Sequence, residues 1–476
     1  MPRTDKKTQI SAATRKKGRV SSGRGPVLFF GLALVTVLTL YFFFRPALLE
    51  TANNRIYDIL LRSIPHSAPS SLPVIVDIDD ESLELFGQWP WPRYRIARLL
   101  EKINALGPRS VALDMFFPEL DRTSLDHLQN QIKHDFNVRL NLSNVAENIR
   151  DNDAFFAQRL AAGPFVLGYK FIFDTNPSAS SDCLLSPAPV FVLRSKGTTD
   201  DHSPLMTAHG AVCNIQALSQ AVTHQGFTSA TPDRDGVLRR VPLLIAYNGK
   251  TYPSLALAAM LKAFGTGQVL LRMSAQGTES ITIDNRIVPL DEKGNLLIRF
   301  RGPANTFRHI SAAKFFTGRV LKKDIEDRIV FIGTSASGLR DFHTTPFDSL
   351  FPGVEAHAAI IDNLVQGDFI KRARWMRGVE LILGVIVGIL SVVLLAYGRA
   401  VWSIFVFVIS LAGMWIGSNW LLGSWGIFIS PFIPLSIFAV NFSFLSALKF
   451  WEEERHGKNR PRNWWRFKRS HWKRLP

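Results

Sequence analysis

Cysteine is scarce in this sequence: Cys183 and Cys213 are the only two among 476 residues. At most one intrachain disulfide is available, and spacing alone leaves open whether the two pair in an oxidising compartment or stay as free thiols. Acidic residues are also few, 39 against 56 Lys and Arg, for a net charge of +17. No small-x-small cleavage site follows the first apolar run; Arg45-Pro46 does, so that run reads as an uncleaved anchor and not as a signal peptide. Two catalytic signatures are missing from Gly333-Thr334-Ser335-Ala336-Ser337-Gly338. A nucleophile elbow needs glycine two residues after the serine, where Ser337 follows Ser335 instead. A phosphate-cradling loop needs Gly-Lys-Ser/Thr, and none follows. These absences argue against hydrolysis and phosphoryl transfer, and no catalytic residue and no cofactor is expected.

The positive charge sits at the two ends. Residues 1–25 carry eight Lys or Arg against Asp5, and residues 449–476 carry ten against three Glu, which leaves only +3 for the intervening chain. Such a surplus suits nucleic acid, but four apolar runs change its meaning. Val27–Phe44, Val379–Tyr397, Val401–Leu421 and Trp425–Leu448 are each long enough to cross a bilayer. Basic termini then stay cytoplasmic by the positive-inside rule. The reading is a basic tail over 1–25 and a transmembrane helix over 26–45. A stalk and linker (46–71) lead into an extracytoplasmic domain (72–374). Three further transmembrane helices (379–397, 401–421, 425–448) and a basic aromatic tail (449–476) complete it. That tail, with Trp464, Trp465 and Trp472 among cations, reads as a segment lying on anionic membrane lipid in preference to a nucleic-acid binder.

Val74 to Glu119 organises the outer domain. Val74-Ile75-Val76-Asp77-Ile78-Asp79-Asp80 is an apolar strand ending in carboxylates. Ile96, Leu99, Leu100, Ile103 and Leu106 share one helical face, and Gly107-Pro108 stops the helix. Ser110-Val111-Ala112-Leu113-Asp114 is a second strand ending in an acid. This predicts a βαβ unit with parallel buried strands, within an α/β fold of mixed sheet. Ligands of open α/β sheets sit beyond the carboxyl ends of such strands. Residues 123–161 read as polar helix, 174–212 as a long surface insertion, and Pro253–Ala259 as a helix with proline in its first turn.

The candidate ligand-binding residues are Asp79, Asp80, Trp89, Trp91, Arg93, Asp114, Thr334 and Asp341. Asp79, Asp80, Asp114, Glu119 and Asp341 suit a cation or polar ligand, metal identity being unassignable. The competing reading gives Asp79 or Asp80 to capping the helix through Ser82–Phe86. Trp89, Trp91 and Arg93 suit a recognition surface, or else a proline-locked loop with buried rings. Arg239 and Arg240 suit an anion, or else split, one toward water and one toward Asp233 or Asp235. His343 and His357 are available as base or ligand, though a lone histidine more often satisfies local hydrogen bonds.

Seven segments together resemble the second type of CHASE domain, the cyclase/histidine kinase-associated sensory extracellular family of bacteria. They are Val76–Ser82, Gly87–Arg93, Val111–Glu119, Pro232–Pro242, Pro253–Ala256, Ile332–Asp341 and Pro352–Ala358. The resemblance covers nearly the whole outer segment. It implies an α/β extracytoplasmic sensory domain on four transmembrane helices, one before and three after it. It also implies a likeness to bacterial inner-membrane receptors, with the sensory domain periplasmic, both termini cytoplasmic, and homodimers formed. Such a receptor answers an unknown small ligand or envelope signal. In the family the last span normally leads into a cyclase or kinase. Here the sequence ends 28 residues after Leu448, too short for a domain core, so the signal is expected to pass to a separate kinase, cyclase or membrane partner. The alternative is an envelope enzyme or metal-binding protein using the strand-end carboxylates.

Overall fold

The computed structural model describes residues 24–44, 47–139, 141–146, 149–174, 183–195, 204–274, 277–336, 341–372, 374–397 and 400–458. Most of both basic tails lies outside that set. The described residues form two compact units. One is drawn from Met1–Leu49, Arg377–Trp415 and Pro431–Pro476, the other from Glu50–Met376 with Ile416–Ser430.

The chain opens with α1 (Arg24–Phe43) and α2 (Ala47–Ser63). There follow β1 (Pro73–Ile78), α3 (Asp80–Phe86), α4 (Arg93–Asn104), β2 (Ser110–Leu113), α5 (Leu125–Phe136), α6 (Asn152–Ala161) and β3 (Phe165–Ile172). The next stretch is richer in strands. It runs β4 (Val190–Arg194), β5 (Gly210–Val212), α7 (Gln216–Ala221), β6 (His224–Phe227), β7 (Arg240–Pro242), β8 (Leu244–Tyr247) and β9 (Lys250–Pro253). It continues through α8 (Leu255–Phe264), β10 (Val269–Ser274), β11 (Gly277–Ile283), β12 (Arg286–Pro289) and β13 (Asn295–Leu297). Then come β14 (Arg308–Ser311), α9 (Ala312–Phe316), β15 (Ile329–Thr334), β16 (Phe342–His343), β17 (Phe351–Pro352) and α10 (Gly353–Gln366). The last helices are α11 (Arg374–Tyr397), α12 (Ala400–Trp425) and α13 (Phe432–Lys458).

The main sheet runs β14-β1-β15-β2-β3-β5, with β6 also paired to β3. Every pairing in it is parallel except β3 with β5. The strands β1 and β2 lie in one sheet, but β15 separates them. A strand from more than two hundred residues downstream therefore fills the slot that local sequence leaves unassigned. Side-chain alternation splits the sheet between two cores. Val74, Val76, Val111 and Leu113 pack with α4, α6 and α9 on one face. Ile75, Ala112, Val166 and Phe331 pack with α8 and α10 on the other.

Several sequence expectations are corrected here. Within 123–161 the described residues form two separate helices, α5 and α6. The 174–212 insertion contains β4, which extends the β12-β11-β10 sheet, and β5 on the main sheet. Of the two alternatives left open for Cys183 and Cys213 within it, the disulfide is the one formed. Pro253 ends β9 and does not open α8; Ser254 is the cap, its side chain accepting from Leu257 N at 3.3 Å. Gly426–Pro431 is not helical. Gly426 turns there with φ +64, and Lys371 pairs with Ile427.

Four helices are long and apolar enough to cross a membrane: Gly25–Phe43, Trp375–Tyr397, Ile404–Trp425 and Phe432–Trp451. In the apolar unit, glycine permits close approach of helices, the usual way apolar spans pack. A Cβ on Gly31 would lie 2.7 Å from Val392. Asn441 donates to Ser391 Oγ at 2.7 Å, a polar tie between α13 and α11.

Candidate functional site

A cavity of ≈ 920 Å³ opens at the carboxyl ends of β2, β15 and β3. Six of the eight sequence-predicted residues line it: Trp89, Trp91, Arg93, Asp114, Thr334 and Asp341. Asp79 and Asp80 do not. Asp79 caps α3, accepting from Ser82 N at 2.9 Å and Ser82 Oγ at 2.6 Å, and also from Ser311 Oγ at 2.8 Å. Asp80 lies exposed in the first turn of that helix.

The rim is built on a buried acid. Asp121 accepts from Arg93 N at 2.8 Å, Thr123 N at 2.9 Å, Thr123 Oγ1 at 2.7 Å and Asn152 Nδ2 at 3.0 Å. Burial pushes its carboxyl up, yet these donors outweigh burial and hold it below the usual carboxylate range. Arg93 pairs with Asp153 at 3.0 Å and lies over the Phe117 ring at 4.8 Å. Trp91 is buried, its Nε1 donating to Gly87 O at 2.9 Å, so its ring is wall and core at once. Trp89, partly exposed, packs against it at 5.9 Å.

The floor holds groups that sequence spacing does not connect. Asp114 follows β2, Asp341 precedes β16, His343 lies in β16, and His357 is in α10. His357 Nε2 stands 3.6 Å from Asp114 Oδ1, and its ring stacks on Phe331. Asp341 O accepts from Gly353 N at 3.0 Å. A Cβ at Gly353 would lie 2.7 Å from Asp341 Oδ2, so this carboxyl needs glycine at the start of α10. Burial, and next the charge of Asp114, push the Asp341 carboxyl above its ordinary range. Among the described residues no group of three or more His, Cys, Asp or Glu is placed to hold a metal ion.

The segment 237–242 ties this cavity to the stalk. Leu238, Val241 and Pro242 line the cavity, while Arg239 and Arg240 between them point elsewhere. Both arginines are paired, which corrects the expectation that one would face water. Arg239, 1% exposed, donates Nε to Asp58 Oδ1 and Nη2 to Asp58 Oδ2, each at 2.7 Å. It also donates to Asp233 at 3.0 Å and to Asp235 at 2.8 Å. Arg240 pairs with Asp233 at 3.1 Å and Asp291 at 3.3 Å. Asp58 belongs to α2, so the stalk helix is docked on the domain by a bidentate, desolvated ion pair. Nothing in the local pattern of α2 announces that partner 181 residues away.

The loop between α12 and α13 docks on the same domain. Lys371 N donates to Gly426 O at 2.6 Å, Arg299 Nη2 to Gly423 O at 3.3 Å, and Ser430 Oγ to Asn53 Oδ1 at 2.6 Å. Tyr57 of α2 packs edge-on against Phe428 at 5.0 Å.

A roomy cavity thus opens at the strand ends of an α/β domain, with helix α2 docked on that domain, in a chain that also carries four helices apolar and long enough to cross a membrane. The comparisons agree with that architecture. A family model described as CHASE2 domain matches residues 32–397, and the chain belongs to the CHASE2 family, a family of extracellular, non-catalytic sensory domains in signal transduction. No curated protein and no solved structure gives a significant match.

Proposed function

We propose that this protein is a receptor in a bacterial inner membrane. Its domain at 72–374 faces the periplasm, both termini are cytoplasmic, and occupancy of the cavity is relayed through the transmembrane helices to a separate partner protein. The carrying observation is the shared segment 237–242, in which Leu238, Val241 and Pro242 line the cavity while Arg239 clamps Asp58 of α2. A ligand that shifts Leu238 or Val241 must also disturb Arg239, because packed cores switch between discrete arrangements. The stalk helix α2 follows α1 directly in the chain, so displacement of α2 is delivered to the first span. The basic ends support the orientation through the positive-inside rule. Homodimerisation and contact of the basic tail with anionic lipid are part of the same reading.

A ligand-free test uses Ala230→Trp, which fills the cavity from its wall. Amide exchange is measured across residues 54–62 of the full chain in lipid nanodiscs. The proposal predicts altered protection of α2 in a variant that keeps its fold. Unchanged protection of α2, with the cavity residues themselves shielded, overturns it.

A further inference from the structure

We infer that the cavity takes a small organic ammonium ion with an apolar body, its nitrogen seated between Asp114 and Asp341. This rests on reading the cavity as the receptor's ligand site, and adds the chemistry of what enters it.

Rim and floor differ in how their charges are spent. At the rim, Arg93 pairs with Asp153, Arg122 pairs with Glu119 at 2.8 Å, and Asp121 accepts four hydrogen bonds. At the floor, neither Asp114 nor Asp341 accepts a side-chain hydrogen bond among the described residues. Among the described residues, His357 Nε2 stands 3.6 Å from Asp114 Oδ1, beyond hydrogen-bond length. His357 is 8% exposed, lines the cavity, and its buried Nδ1 has no partner among the described residues. Such groups are costly to leave unmade, because a carboxylate away from bulk water needs donors.

An ammonium answers this need in one group. It brings three N–H donors and a positive charge, and so removes the repulsion between the two acids. A neutral donor leaves that repulsion in place. A divalent metal answers the charge but requires several converging ligands, and the described residues offer no such cluster. Among the described floor residues, Lys170 is the one fixed cation an anionic ligand would meet, and Lys170 is exposed to water. The walls fit the rest of the molecule. Trp89, Phe116, Phe171 and Phe227 line the cavity, and aromatic rings hold an apolar body and favour a neighbouring cation.

The test is calorimetric titration of the full chain in nanodiscs with phenethylammonium, its neutral isostere 2-phenylethanol, the anion phenylacetate, and calcium chloride. The inference predicts saturable binding of phenethylammonium at least about tenfold tighter than the alcohol. It predicts that Asp114→Asn and Asp341→Asn each lose about tenfold or more while melting no lower than the parent. Binding of the alcohol with equal affinity, tighter binding of phenylacetate, stoichiometric calcium, or no heat up to about 10 mM phenethylammonium overturns it. Phenethylammonium bound equally well by the Asp114→Asn/Asp341→Asn double variant also overturns it. If the amine fails while Ala230→Trp still alters α2 exchange, the receptor reading stands and only the ligand class falls.

Discussion

His309 gives the sharpest stability prediction. It lies in β14 at the edge of the main sheet, with Nδ1 at 3.1 Å from Asp77 Oδ2 and Nε2 at 3.6 Å from Glu355 Oε2. Asp77 also accepts from Ser335 N and Oγ, at 2.9 and 2.6 Å, while Glu355 accepts from Asn305 N and Phe307 N, at 2.9 and 3.1 Å. Burial works against the imidazolium, but the hydrogen bond to Asp77 and the nearby negative charges of Asp77 and Glu355 outweigh it and raise the histidine from 6.5 to about 9. Because the folded value lies above the unfolded one, the stabilisation is complete below about pH 6.5 and is lost as the pH rises through about 9. That rise corresponds to about 3 kcal/mol at acid pH. The perturbation is His309→Gln, which keeps a donor but cannot become charged. Unfolding of parent and variant is followed by tryptophan fluorescence at a series of pH values in the same nanodiscs. The parent should exceed the variant by about 2–3 kcal/mol at pH 6, and the gap should close by about pH 9.5. A gap that stays constant across that range refutes the assignment of a charged His309 bridging two acids.

Arg239→Met leaves Asp58 and Asp235 without the guanidinium they share, Asp233 keeping Arg240, and should cost about 3–5 kcal/mol in urea unfolding; a loss under about 1 kcal/mol would contradict the buried clamp. Reducing the Cys183–Cys213 disulfide releases a loop of 30-residue separation, worth about 3–4 kcal/mol by chain entropy. The same urea midpoint with and without reductant would show that this bond does not stabilise the fold. Asp341→Asn removes a carboxyl whose ionisation burial and Asp114 oppose, so thermal unfolding should show it more stable than the parent at pH 8 and no more stable at pH 4.

Much of this fold is written locally. The continuous apolar runs of β1 and β2, the helical face of α4, and the long apolar stretches of α1, α11, α12 and α13 follow from hydrophobic patterning alone. What escapes local reading is pairing between distant segments. The insertion of β15 between β1 and β2 and the pairing of β4 with β10 depend on contacts that no window of sequence contains. The candidate site divides in the same way. Asp114 and Thr334 were visible because acids and small residues at strand ends mark the ligand side of such sheets. Asp79, in the same kind of position, is taken up by capping, as the serine three residues later signals. His357 gave no signal beyond its type, since its role depends on α10 delivering it to Asp114. The adjacent arginines 239 and 240 suggested ion pairing with nearby aspartates, but not with the stalk. Asp58 sits in α2 as one more polar residue until the fold buries Arg239 against it.

The coupling of cavity and stalk is tested most directly by a double-mutant cycle between Ala230→Trp and Asp58→Asn, read as unfolding free energy of the full chain in nanodiscs. The first change occupies the cavity, and the second breaks the bidentate bond of α2 to Arg239. The account predicts an interaction energy of about 1 kcal/mol or more between the two sites. Effects that add to within about 0.5 kcal/mol would mean that the cavity and the stalk helix do not sense one another.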